Sequence, residues 1–226
     1  MPEFPGRYMH EALLMEDEKI LLIGGGDSEW SAPLDKIDAY DIKSNTFVKI
    51  ETIADKNHGF PIPRQFQTCV RDDEKIYVLG GRAMDKSTPN SSSNKDENAV
   101  VFDDIWQLKR IQLGNHFYYK WTQTVSNLKM PIFFHSSAIT PDGCIYTFGG
   151  CRKPIYPSNR LQRVWIQPPT LKLMAMFRVL ANYPPIINEI PTLEEQARMK
   201  KIEKELVVSN PIRLLKAWRQ KCQLPK

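Results

Sequence analysis

Three times along this chain a short apolar run ends in a pair of glycines, and that repetition limits the possible folds more than any other feature. The runs are Ile20–Ile23 with Gly24 and Gly25, Ile76–Leu79 with Gly80 and Gly81, and Ile145–Phe148 with Gly149 and Gly150. A second strand-like run precedes each one: Met9–Met15, Phe66–Val70 and Phe134–Thr140. The connections between the two runs hold Glu16-Asp17, Asp72-Asp73 and Pro141-Asp142-Gly143. Asp and Gly supply the backbone angles of tight hairpins, so each pair of runs reads as two antiparallel strands. The register repeats as well. His10 and His135 each stand 14 residues before the first glycine of their pair, and Gln67 stands 13 before its own.

A third strand follows each glycine pair, at Lys36–Tyr40, Asp104–Leu108 and Arg163–Ile166. Two copies add a fourth, at Phe47–Ile50 and Tyr119–Thr122. A unit of three or four short strands cannot bury both of its faces alone, so such units must stack on one another. Four strands, a glycine pair after the second and an aromatic on the fourth resemble the Kelch motif. The fold expected is therefore all-β, a partial Kelch β-propeller of about three four-stranded blades followed by a C-terminal α-helical tail. The blades are expected near residues 5–57, 61–128 and 130–167, making residues 1–167 the repeat domain and 168–226 the tail. The glycine pair is expected to admit neighbouring chain segments near the propeller axis. A phosphate-binding reading of Gly24-Gly25-Gly26 fails, because neither a helix nor a Lys-Ser/Thr pair follows.

The spacing is 56 residues from Gly25 to Gly81 but 69 from Gly81 to Gly150, and most of the excess is the polar stretch 87–98. That stretch reads as a solvated insertion between the second and third strands. Propellers close with about four to eight blades, so three make an incomplete ring. The third repeat also stops after its third strand, at Pro168-Pro169. The chain is accordingly expected to be a fragment, a truncated isoform or an incomplete gene model.

Charge separates the two regions. Residues 1–150 hold 16 Lys/Arg against 21 Asp/Glu, whereas residues 151–226 hold 15 against 5. After the proline pair the pattern becomes helical. Residues 170–181 (TLKLMAMFRVLA) are apolar on nearly every side, so this helix needs cover on more than one face. Thr192-Leu193-Glu194-Glu195 is a capping box for a second helix running to about Val208, and Asn210-Pro211 opens a third. Arg198, Lys200, Lys201 and Lys204 on the second helix read as a solvated face rather than a nucleic-acid surface. Four cysteines without metal-like spacing, no signal peptide and no membrane-length apolar run lead to a cytoplasmic or nuclear expectation, with no membrane partner.

The segment Thr170-Leu171, Ala175 and Val179 resembles the BC-box, by which substrate receptors of cullin–RING ubiquitin ligases bind Elongin B/C. Its spacing puts Leu171, Ala175 and Val179 on one helical stripe. Tyr183, Pro184 and Ile187 resemble the start of a cullin-2 box, with Pro191 standing where that pattern asks for an apolar residue. The stretches GRYMHE, ILLIGGG, KIDAYDI, GFPIPR, DDIWQL, FHSSAITPDGCIYTFGG and VWIQPPTLKL, in this order, resemble the C-terminal half of a Kelch-repeat receptor of that ligase class. The resemblance implies a non-catalytic subunit that recognises C-terminal degrons on client proteins, with Elongin B/C and cullin-2 as further partners and without cofactor.

A client carboxylate needs cationic donors near the propeller mouth. The candidates are Arg7, Tyr8, Arg64, Arg82, Phe134 and His135; the competing role for such Arg and His residues is to stitch neighbouring blades through hydrogen bonds. Catalysis has little support, since His10, His58, His116 and His135 are scattered and no metal cluster, paired carboxylates or activated nucleophile stands out. No Tyr/His/Cys set like that of the copper-oxidase propellers can be assembled. The second expectation, after the ligase receptor, is a Kelch interaction scaffold whose tail helix only caps the propeller.

Overall fold

A computed structural model of the chain describes residues 6–73, 75–84, 99–114, 116–153 and 156–182. The chain divides into two compact units, Met1–Thr170 and Leu171–Lys226. In the first unit each repeat folds as one antiparallel blade. Blade 1 is a meander of β1 (Tyr8–Leu14), β2 (Lys19–Gly26), β3 (Lys36–Asp41) and β4 (Thr46–Ile53). Blade 2 consists of β5 (Thr68–Asp72), β6 (Lys75–Leu79), β9 (Ile105–Leu113) and β10 (His116–Gln123), with a small hairpin of β7 (Arg82–Met84) and β8 (Ala99–Val101) between its second and third strands. Blade 3 is β11 (Phe133–Ile139), β12 (Cys144–Lys153) and β14 (Leu161–Trp165), and the short β13 (Tyr156–Pro157) returns on the end of β12. Among the described residues blade 3 has no fourth strand.

The insertion at 87–98 lies outside the described residues. The strands on either side of it are described: β7 and β8 pair there as a small antiparallel hairpin. The outer strands of blades 1 and 2 also meet. A short parallel contact pairs Tyr119 with Thr52 and Lys120 with Ile53, joining the two blades into one eight-stranded sheet.

Alternation of apolar residues decides how blades stack, because successive side chains on a strand point to opposite faces. Leu21, Ile23, Ile37 and Ala39 of blade 1 meet Ile76, Val78, Trp106, Leu108, Tyr119 and Trp121 of blade 2 in one core. The other faces of the same blade 2 strands present Val70, Tyr77, Leu79 and Ile105 to Ile145 of blade 3, with Leu128 and Ile132 closing a second core. Blade 2 thus supplies one wall to each of two sandwiches. Trp121 is fully buried, edge-on to Trp106 at 6.4 Å, and its indole donates to Leu34 O at 2.7 Å, satisfying the one polar atom that burial would otherwise strand.

The second unit contributes α1 (Leu171–Asn182) to the description. The expected second and third helices, and the cullin-contact residues Tyr183, Pro184 and Ile187, lie outside the described residues.

Candidate binding face

The repeat-start linkers and the connections between second and third strands gather at the glycine-pair end of the blades. There the chain is held by one device used twice. Met9, Phe66 and Phe134 occupy equivalent positions, and all three adopt left-handed backbone with φ of 63°, 57° and 59°. Such a conformation in a non-glycine residue costs roughly 1–2 kcal/mol and persists only where its surroundings hold it. Here it turns the peptide groups toward the adjacent blades: Phe66 N–H donates to Met9 O at 3.2 Å, and Phe134 N–H donates to Phe66 O at 3.1 Å. The next residue in each repeat reinforces the link. Gln67 donates through Nε2 to Ile23 O at 2.8 Å, while the equivalent His135 bonds the Leu79 backbone and Thr68 Oγ1.

The glycine pairs explain why no side chain fits there. A Cβ on Gly24 would stand 2.8 Å from Arg64 O, and one on Gly80 would stand 2.5 Å from Ile132 O, each a linker carbonyl of the following blade. The second glycines, Gly25 and Gly81, donate to those same carbonyls at 3.0 and 2.9 Å. The close approach expected from the sequence is therefore an approach of backbone to backbone between neighbouring blades.

Two of the candidate ligand residues are committed to structural roles, His135 across the junction of blades 2 and 3 and Arg64 within blade 2. Arg64 is fully buried, its guanidinium lies 4.1 Å over the Phe102 ring, and it meets the Asp104 carboxylate with both terminal nitrogens, the Nη2–Oδ2 distance being 3.0 Å. Its remaining donors reach Ile62 O and Gly80 O. A buried charge pair is tolerable only when paired and hydrogen-bonded in this way, and no face of Arg64 remains for a client carboxylate. His135 is likewise 7% exposed, and burial pushes its pKa down to about 4, which leaves the ring neutral. Arg7, the repeat equivalent of Arg64, pairs with Asp38 and lies over the Trp30 ring, with little of its side chain exposed.

The other three candidates are nearer the solvent. Tyr8 and Phe134 are 49% and 61% exposed. Arg82 is half-buried between the rings of Phe66 and Phe133, 4.9 and 5.0 Å from their centroids, and Phe134 leans on Phe66 at 3.8 Å. Two backbone hydrogen bonds with Gln65 fix the Arg82 main chain. Beside it opens a cavity of about 270 Å³ lined by Asp27, Glu29, Trp30, Ile62, Pro63 and Gln65. Backbone donors on Asp27 hold its carboxyl below the usual range, so this cavity is anionic and suits no carboxylate ligand. The cavity escaped the sequence reading, because its wall joins residues of two blades. Its only local trace was the Asp27-Ser28-Glu29-Trp30 turn. Among the described residues no group of His, Cys, Asp and Glu is disposed to hold a metal ion.

On α1, Leu171 and Ala175 are exposed and Val179 is half-buried; Met174 and Met176 add further apolar surface. Thr170 stands immediately before the helix.

No family model matches the chain. Curated relatives do. Kelch domain-containing protein 10 of Homo sapiens is 29% identical over 185 residues, covering 80% of this chain and 37% of its own length. The Xenopus laevis protein of that name is 30% identical, with 82% and 40% covered, and the Drosophila melanogaster homolog is 31% identical, with 75% and 27% covered. The chain thus spans no more than two-fifths of the length of these relatives. Repeat, blade topology and relatives agree: the fold is that of Kelch β-propeller blades, and over most of its length the chain is a homologue of part of Kelch domain-containing protein 10.

Proposed function

We propose that the chain is the substrate-recognition part of a cullin-2–RING ubiquitin ligase, a non-catalytic cytoplasmic subunit that binds client C-termini through its blades and Elongin B/C through α1. The observation that carries the reading is the solvent-facing start of α1. Leu171 is 82% exposed, and Met174 and Met176 are 49% and 48% exposed on a helix only twelve residues long. Apolar side chains concentrated this way on a short helix are a surface that gains by being covered. The Leu171, Ala175 and Val179 spacing fits the BC-box pattern for that cover.

Retention of Elongin B/C by the intact chain, with loss on Leu171→Ser and on Ala175→Phe, is the expected result. A folded chain that fails to retain Elongin B/C sinks the ligase reading and leaves a Kelch interaction scaffold. On the blades, the reading assigns the client carboxylate to Arg82, flanked by Phe66, Phe133 and Phe134. Peptides with free C-termini should bind better than their amidated forms, and Arg82→Gln should abolish the difference. Equal binding of both forms rules out carboxylate recognition.

A further inference from the structure

The cavity of about 270 Å³ beside Arg82 takes its walls from the intact junction of blades 1 and 2. Asp27, Glu29 and Trp30 come from the connection between β2 and β3, Ile62, Pro63 and Gln65 from the linker into blade 2, and Ala83 from β7. These walls differ in chemistry. Asp27 and Glu29 supply two carboxylates, Ile62 and Pro63 a solvent-exposed apolar flank, and Trp30 an aromatic ring. Among the described residues no Lys or Arg lines the cavity. The two neighbouring arginines are turned to other partners. Arg7 lies over the Trp30 ring at 5.5 Å with its charge held by Asp38, so that ring already accepts a cation. Arg82 precedes Ala83 on β7, and successive side chains on a strand point to opposite faces. The Arg82 guanidinium accordingly lies over Phe66 and Phe133, while Ala83 faces the cavity.

Gln65 adds an acceptor that the fold itself does not use. It is 7% exposed, and its Nε2 donates to Asp27 O at 2.7 Å, Trp30 O at 3.0 Å and Ser31 Oγ at 3.2 Å. Two of these partners are backbone carbonyls, which fixes the orientation of the amide and leaves Oε1 as its acceptor end. Among the described residues no donor meets that oxygen. A carbonyl so deeply placed gains from a donor that enters the cavity. The nearby carboxylate is held still, since Asp27 Oδ1 accepts from the backbone N–H groups of Glu29 and Trp30 at 2.7 and 3.0 Å.

We propose that this cavity takes the basic side chain, arginine or lysine, of a peptide bound across blades 1 and 2, its cationic head meeting Asp27, Glu29 and Gln65 Oε1 and its aliphatic stem lying along Ile62 and Pro63. Long basic side chains pack in this way, stem on apolar surface and head on fixed acceptors. The placement rests on the proposed binding of client C-termini by the blades and adds a requirement to it, a basic residue a few positions before the carboxylate that Arg82 holds. An anion site and a cation site on the two sides of β7 also give the bound peptide one direction.

The test offers the full chain, immobilised, a pool of synthetic peptides randomised over their C-terminal residues, and the retained fraction is sequenced. Enrichment of Arg and Lys at one position upstream of the terminus is expected. Asp27→Asn with Glu29→Gln should remove that enrichment and keep the preference for free over amidated termini, whereas Arg82→Gln should do the reverse. In a retained peptide, citrulline in place of its arginine, similar in shape but uncharged, should weaken binding about tenfold. Glu51→Gln, the same change of charge on β4, should leave the enrichment in place. Near-ultraviolet circular dichroism reports the buried tryptophans and so confirms the fold of each variant; Glu29→Gln alone, at an exposed position, replaces the double variant should that not fold, and should still lower the enrichment. A preference for free termini without basic enrichment overturns the proposal and leaves carboxylate recognition standing. Basic enrichment without that preference does the opposite. Enrichment that survives Asp27→Asn with Glu29→Gln, or that Glu51→Gln removes equally, also overturns it, as does a folded chain that retains no peptide.

Discussion

Gly80 and Gly114 share nearly the same backbone conformation, φ +57° and +61°, in opposite surroundings. Around Gly114, in the β9–β10 turn, a Cβ would meet nothing within 4 Å; around Gly80 it would meet Ile132 O at 2.5 Å and His135 Cε1 at 2.9 Å. Alanine at Gly114 therefore bears only the left-handed backbone penalty of roughly 1–2 kcal/mol, partly offset by a less flexible unfolded chain. Alanine at Gly80 bears that and must also push apart the junction of blades 2 and 3, where forced overpacking adds about 1–3 kcal/mol. The expected difference is about 2 kcal/mol. For a unit of this size that corresponds to roughly 4–8 °C in Tm. Urea denaturation of the two variants at one protein concentration, followed by tryptophan fluorescence, measures it directly, since Trp106 and Trp121 lie in the core between blades 1 and 2. Equal destabilisation by the two substitutions would refute the argument, reducing the first glycine of each pair to a turn residue with no part in blade contact.

Removing Arg64 leaves the Asp104 carboxylate without its cation, so Arg64→Ala should cost about 3–5 kcal/mol, and the double variant with Asp104→Ala should recover part of it; a loss of unfolding free energy below about 1 kcal/mol would contradict the structural role of the pair. Folded His135 takes up its proton only near pH 4, whereas an unfolded histidine does so near 6.5, so the unfolded chain holds the extra proton in between. Stability due to this ring is intact above about 6.5 and declines as pH falls, with a full loss of roughly 3 kcal/mol reached below about 4. His135→Gln, which installs the residue blade 2 uses at Gln67, should flatten that decline in denaturation measured across the same window; an unchanged slope would show that another group titrates there.

Strand positions were legible because they rest on local order. The runs ending in Gly24, Gly80 and Gly149, the turn residues before them and the proline pair after Ile166 each act within a few residues, and β2, β6, β12 and α1 formed where those signals stood. What escaped the sequence depends on residues far apart. Arg64 reads either as a donor to a ligand carboxylate or as a structural hydrogen-bonding residue until Asp104, forty positions on, is placed against its guanidinium. The left-handed backbone of Met9, Phe66 and Phe134 has no signature in those side chains, because it is enforced by hydrogen bonds from the adjacent blades. The β7–β8 hairpin was hidden for a different reason. Its strands are only three residues each and flank a polar stretch whose composition speaks for a loop.

That hairpin also makes blade 2 receptive to new sequence. Arg82 pairs with Val101 and Met84 with Ala99, so the two ends of the connection are brought together before any residue beyond them contributes. Lengthening what lies between Met84 and Ala99 then adds only the slow logarithmic term of loop closure, about 0.6 kcal/mol for each doubling. An epitope, a protease site or a short binding peptide can be grafted there while β6 and β9 keep their register, which makes this stem a port for engineering the chain.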